Sequence, residues 1–67
     1  MTMTDLEKLK HLLQHWMEHN DAHVKTYGEW TDKAEDMGRK DIAELLKQIT
    51  DDSKKLNDLF GKAIDII

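Results

Sequence analysis

The chain has 67 residues, net charge −4, no cysteine and no proline. That length bounds it to one domain, near the lower limit for a core that must hold itself without disulfides or thiolate-bound metal. Acids and bases are interspersed and no apolar run approaches the roughly 20 residues that cross a bilayer, which argues against nucleic acid, anionic lipid and a membrane span. With no secretory leader pattern at its start, the default compartment is cytoplasmic.

Ala, Leu, Lys, Glu and Asp make up more than half of the chain, a composition that suits helices. Thr4 followed by Glu7 fits a capping box that opens a first helix. From there Leu6, Leu9, Leu13, Trp16, Asn20, His23, Tyr27, Trp30, Ala34 and Met37 recur at alternating steps of three and four. That is the heptad seam of a helix packed lengthwise against another. Gly28 falls inside this helix on its outer side, at a cost of about 1 kcal/mol relative to alanine. Gly38 stands where a left-handed residue ends a helix. The first helix is therefore expected over about 4–37, with a turn at about 38–40.

Asp41 with Glu44 gives a weaker start signal, and a second helix is expected over about 41–66. Its seam reads Ile42, Leu45, Ile49, Asp52, Leu56, Leu59, Ala63 and Ile66, broadened on one flank by Leu46, Phe60 and Ile67. The run Thr50–Ser53 offers an alternative, a cap that splits this helix in two, although the heptad phase passes through it unbroken. Two such long rods joined by so short a turn must lie antiparallel. The predicted fold is all-α: an antiparallel two-helix hairpin in a single unit, 1–67. Trp16, Tyr27, Trp30 and Phe60 leave large surfaces half-covered in a lone hairpin, so two copies are expected to pair as a homodimeric four-helix bundle. A partner protein of similar shape would supply the same cover.

All four histidines lie in the first helix, four residues apart: His11, His15, His19 and His23. Such i,i+4 neighbours meet on one face, the spacing by which two imidazoles bind one ion. Rungs two steps apart are about 12 Å displaced along the axis, whereas metal–nitrogen bonds are about 2.0–2.1 Å. One ion thus takes at most a pair from a straight helix, and other donors must come from elsewhere. His19 and His23 form the better pair, flanking the polar seam residue Asn20, while His11 and His15 make a shallower site near Glu7 and Glu18. Setting Met37 against Ile42 and Trp30 against Ile49 brings Asp52 and Ser53 near Tyr27, beside His23. There Asp52 would ligate an ion or orient a ligating imidazole. The plainer interpretation is a polar layer of Asn20, His23 and Asp52 that fixes register at a cost in stability.

The segment HWMEHNDAH, followed by TYGEWTDKAEDMG, resembles a pattern in a poorly characterised family of short helical proteins and domains of anaerobic bacteria and archaea. The pattern is H-W-x-x-H-N-x-x-H, then an aromatic, a tryptophan and an alanine before a glycine turn. The matching residues are His15, Trp16, His19, Asn20, His23, Tyr27, Trp30, Ala34 and Gly38. The resemblance implies a link to transition-metal handling and favours His15, His19 and His23 over His11.

The leading expectation is a small protein that binds a divalent transition metal (nickel, zinc, cobalt or copper) for storage, delivery or sensing. The ligand candidates are His15, His19, His23 and Asp52. Imidazole with carboxylate suits these ions, and binding should weaken as pH falls through the histidine range near 6.5. The alternative is a dimerisation or protein-interaction module whose histidines are structural. Catalysis is not expected: the chain has no nucleophile elbow, no phosphate loop and little concavity to enclose a substrate. Haem lacks an attachment motif.

Overall fold

The computed structural model describes residues 4–67. It is a hairpin of two helices, α1 over Asp5–Asp36 and α2 over Lys40–Ile66, packed against each other along a rod 56 × 19 × 11 Å. At its start Thr4 is extended, its hydroxyl oxygen accepts the Glu7 amide at 3.2 Å, and the hydroxyl in turn donates to the Glu7 carboxylate. At its end Gly38 adopts φ 77°, a left-handed conformation that costs an L-residue about 1–2 kcal/mol. The Gly38 amide then donates to the Glu35 carbonyl and the Arg39 amide to the Ala34 carbonyl, both at 2.9 Å. These two bonds make the Schellman closure that satisfies the last carbonyls of α1.

The second helix begins one residue earlier than the Asp41 signal suggests, with Arg39 at its N-cap and no side-chain cap bond. Asp41 lies in the first turn instead. Its carboxylate accepts from the Arg39 guanidinium at 3.1 and 3.0 Å, and with the Ile42 amide this holds it below the usual carboxylate range. The Thr50–Ser53 run does not break α2. Thr50 turns its hydroxyl back to the Leu46 carbonyl at 2.7 Å, the in-helix alternative to capping.

The line along which the helices meet differs from the expected seam. On α1 the covered residues are Leu13, Met17, Asn20, Val24, Tyr27, Thr31 and Ala34, so alternate positions move from Trp16, His23 and Trp30 to their C-terminal neighbours. On α2 the line shifts by one, to Ala43, Leu46, Thr50, Ser53, Asn57, Phe60, Ile64 and Ile67, with the expected seam residue Ala63 also partly covered. The reason is steric: small residues let two backbones approach. Ala34 and Ala43 are 2% exposed and Thr31 is 6% exposed, and these three are the only fully covered residues among those described.

The register also moves. Asn20 binds Ser53 and Asn57, so Ser53 lies nearer Asn20 and Val24 than Tyr27. Lys47 of α2 closes an ion pair with Glu35 of α1 at 3.1 Å near the turn.

The large apolar side chains stay outside. Leu9, Leu12, Trp16 and Trp30 on α1, and Ile42, Leu45, Ile49, Leu56 and Leu59 on α2, are each at least 39% exposed. At about 100° of rotation per residue, each set occupies one flank of its own helix. Because the helices run antiparallel, both flanks open on the same side of the rod. The opposite side is polar, with Asp32, Lys47, Asp51 and Lys54 around a groove beside Gly28. No helix among the described residues is long and apolar enough to cross a membrane.

Candidate metal centre

The histidine ladder stands on the apolar side of α1. His15 and His19 have ring centroids 4.6 Å apart and tilted by 59°; His19 and His23 are 6.3 Å apart at 53°. His23 continues into Tyr27, whose ring lies 5.9 Å away and nearly parallel at 14°. The slant expected of a four-residue step is therefore present, and it carries the rings from the outer surface towards the helix–helix groove. His15, Trp16, His19, Asn20 and His23 line that groove from α1, and Leu56 and Phe60 line it from α2. All four histidines are exposed, His11 included.

His23 does not occupy the seam. Val24 takes that place, and His23 lies against Tyr27. Asp52 is not beside His23 within the chain either: it is exposed, and its carboxylate accepts from Gln48 Nε2 at 2.9 Å, one turn back on its own helix. The shift of the α2 line by one residue accounts for this. A residue one step off the seam is rotated by about 100°, so Ser53 faces α1 and Asp52 turns out to the side of the rod on which Leu45 and Leu56 are uncovered. Among the described residues no three His, Asp or Glu side chains gather as a metal shell would need. What α1 offers is the adjacent pair, with His15 and His19 the closer and His19 and His23 the deeper.

Asn20 does join a polar layer between the helices, but with partners other than His23 and Asp52. Its amide donates one N–H to the Ser53 carbonyl at 2.7 Å and the other to Asn57 Oδ1 at 2.8 Å. Asn57 passes the interaction on, donating to Asp21 Oδ1 at 3.1 Å. The polar layer is thus Asn20, Asn57, Asp21 and the Ser53 backbone, without His23 or Asp52. Asn57 went unnoticed in the sequence, although it carries a usable signal. It belongs to a second three-and-four series (Ala43, Leu46, Thr50, Ser53, Asn57, Phe60) beside the line of large residues.

Two comparisons bear on kinship. Residues 9–67 match the family described as a domain of unknown function, DUF8180. The chain is also 34% identical over 62 residues to an uncharacterized protein of Archaeoglobus fulgidus, covering 92% of this chain and 98% of that protein. No solved structure matches. With the family match spanning the ladder, the turn and all of α2, the chain belongs to the DUF8180 family, a domain of unknown function.

Proposed function

We propose that this protein binds a divalent transition metal through His15, His19 and His23, in a site completed when two hairpins pair as a homodimeric four-helix bundle. The observation that carries the reading is that the ladder lies on the uncovered apolar face. Trp16, Trp30, Leu45 and Leu56 are 44, 49, 66 and 43% exposed around it. An ion held there by two imidazoles needs further donors to fill a tetrahedral or larger shell. A second copy brings them, together with an apolar surround. The H-W-x-x-H-N-x-x-H pattern of this sequence is the feature we tie to this task, with storage, delivery or sensing of nickel, zinc, cobalt or copper as the role.

Area supports the pairing. The chain exposes 5432 Å², whereas a compact monomer of its mass exposes about 4,400 Å². The excess of about 1,000 Å² is the size of one side of a standard interface, about 800 Å² per partner.

Calorimetry on chelator-treated, untagged protein, run beside native mass, tests the proposal. The expected result is a dimer that takes up metal in fixed stoichiometry at neutral pH and loses it when His19 and His23 are replaced by alanine. A dimer that binds no metal leaves the second reading, a homotypic interaction module with structural histidines. That reading is favoured by the lack of a three-donor cluster among the described residues, and it expects the same native mass with and without chelator.

A further inference from the structure

The way two copies meet can be argued from the face itself; the argument rests on the self-association proposed above. The hairpin's own register fixes heights along the rod. Asn20 is level with Asn57, and the heptad then sets His23 level with the step between Asp52 and Leu56. His19 is level with the step between Leu56 and Leu59, and Trp30 with the step between Leu45 and Ile49. Asp52 is the one acid in the outer line that runs from Leu45 to Leu59.

A two-fold pairing through this face has two forms. With the axis along the helices, both turns lie at one end, and α1 of each copy faces α2 of the other at equal height. With the axis across the helices the turns lie at opposite ends, and each helix faces its own counterpart reversed. In the reversed form, with the rods in full overlap, Asp52 at the middle of α2 comes against Asp52 of the second copy. Two ionised carboxylates then meet across the interface, which is costly without a counter-charge between them. In the turn-to-turn form Trp30 enters between Leu45 and Ile49, His19 between Leu56 and Leu59, and His23 beside Asp52. Large apolar groups meet apolar groups, and the single acid meets an imidazole, twice by symmetry.

We infer that a second copy docks turn-to-turn on this face, placing Asp52 of the second copy against His23 of the first. Each dimer then has two equivalent His–Asp clusters, one per chain, into which the His19–His23 pair also projects. Asp52 serves as the carboxylate donor across the interface, not within the hairpin.

The natural chain has no cysteine, so single thiols report distance without interference. Lys40→Cys, exposed at the turn, is spin-labelled in the metal-free protein and the label-to-label distance is read by pulsed dipolar spectroscopy. Packed helices are 8–10 Å apart, so the expected distance is about 15–25 Å. A distance near the 56 Å length of the rod overturns the proposal while leaving self-association standing. A monomeric mass overturns both. The second measurement mixes a His23→Cys chain with an Asp52→Cys chain under mild oxidation: the mixed disulfide is expected to form, and failure to form it refutes the contact. With metal, Asp52→Asn should weaken binding by about tenfold or more at one ion per chain. Wild-type affinity in that variant, or one ion per dimer, removes Asp52 from the site without disturbing the histidine proposal.

Discussion

Replacing Asn20 with alanine is the most informative perturbation of the hairpin, because this half-buried side chain makes two of the three hydrogen bonds that tie the middle of α1 to α2 among the described residues. Two N–H donations are lost, to the Ser53 carbonyl at 2.7 Å and to Asn57 Oδ1 at 2.8 Å. Neutral hydrogen bonds contribute about 0.5–1.5 kcal/mol each, which gives about 1–3 kcal/mol for the pair. Asn57 is half-covered, so water replaces part of what its oxygen loses, and the lower half of that range, about 1–2 kcal/mol, is expected. Asn57→Ala removes one of these bonds and also the bond to Asp21 at 3.1 Å. Since both variants break the same central bond, the double variant should fall short of additivity by about 1 kcal/mol. Urea unfolding at fixed protein concentration measures this, with midpoints compared at a common slope. Concentration must be held because the proposed association would add to apparent stability. A change below about 0.5 kcal/mol for Asn20→Ala, or additivity of the two substitutions, would refute the clamp and with it the register used to place Asp52.

Other substitutions test single steps. Gly38→Ala should cost about 1–2 kcal/mol, because its φ of 77° strains any side chain even though a methyl meets no neighbour there. Gly28→Ala should do the reverse, raising the urea midpoint by an amount equal to about 0.5–1 kcal/mol, since Gly28 is helical and its added methyl also meets nothing within 4 Å. Asp41 has its folded carboxyl below the ordinary value of 3.8, chiefly through Arg39. Its contribution is present above that value and lost as pH falls through the lower folded one. Asp41→Asn should therefore flatten the stability profile on the acid side, read by thermal unfolding from pH 5 to 2, and Arg39→Gln should do the same.

The sequence displayed the helices plainly. The Thr4–Glu7 box and Gly38 are local signals, and each decides its own backbone whatever packs nearby. The period of three and four was equally visible, but a period does not say which of two adjacent lines is the inner one. In α2 the line of large residues, Ile42 to Ile66, looked like the seam because hydrophobic size usually marks burial. The structure closes instead on the smaller line that starts at Ala43. Trp16 and Trp30 fall outside for the same reason, their places at the contact taken by Met17 and Thr31.

That choice of line bears directly on the ladder. The i,i+4 spacing of the histidines depends on α1 alone, so it survives any rotation of α2, and the rings of His15, His19 and His23 do follow one another. Convergence of a carboxylate on them depends on α2, where one residue of phase is about 100° of rotation. That rotation moves Asp52 out of the hairpin's interior and onto the side where Leu45 and Leu56 are also uncovered. On the proposed pairing, this uncovered flank makes the hairpin half of a bundle. If an acid is to join these imidazoles, the other half has to supply it.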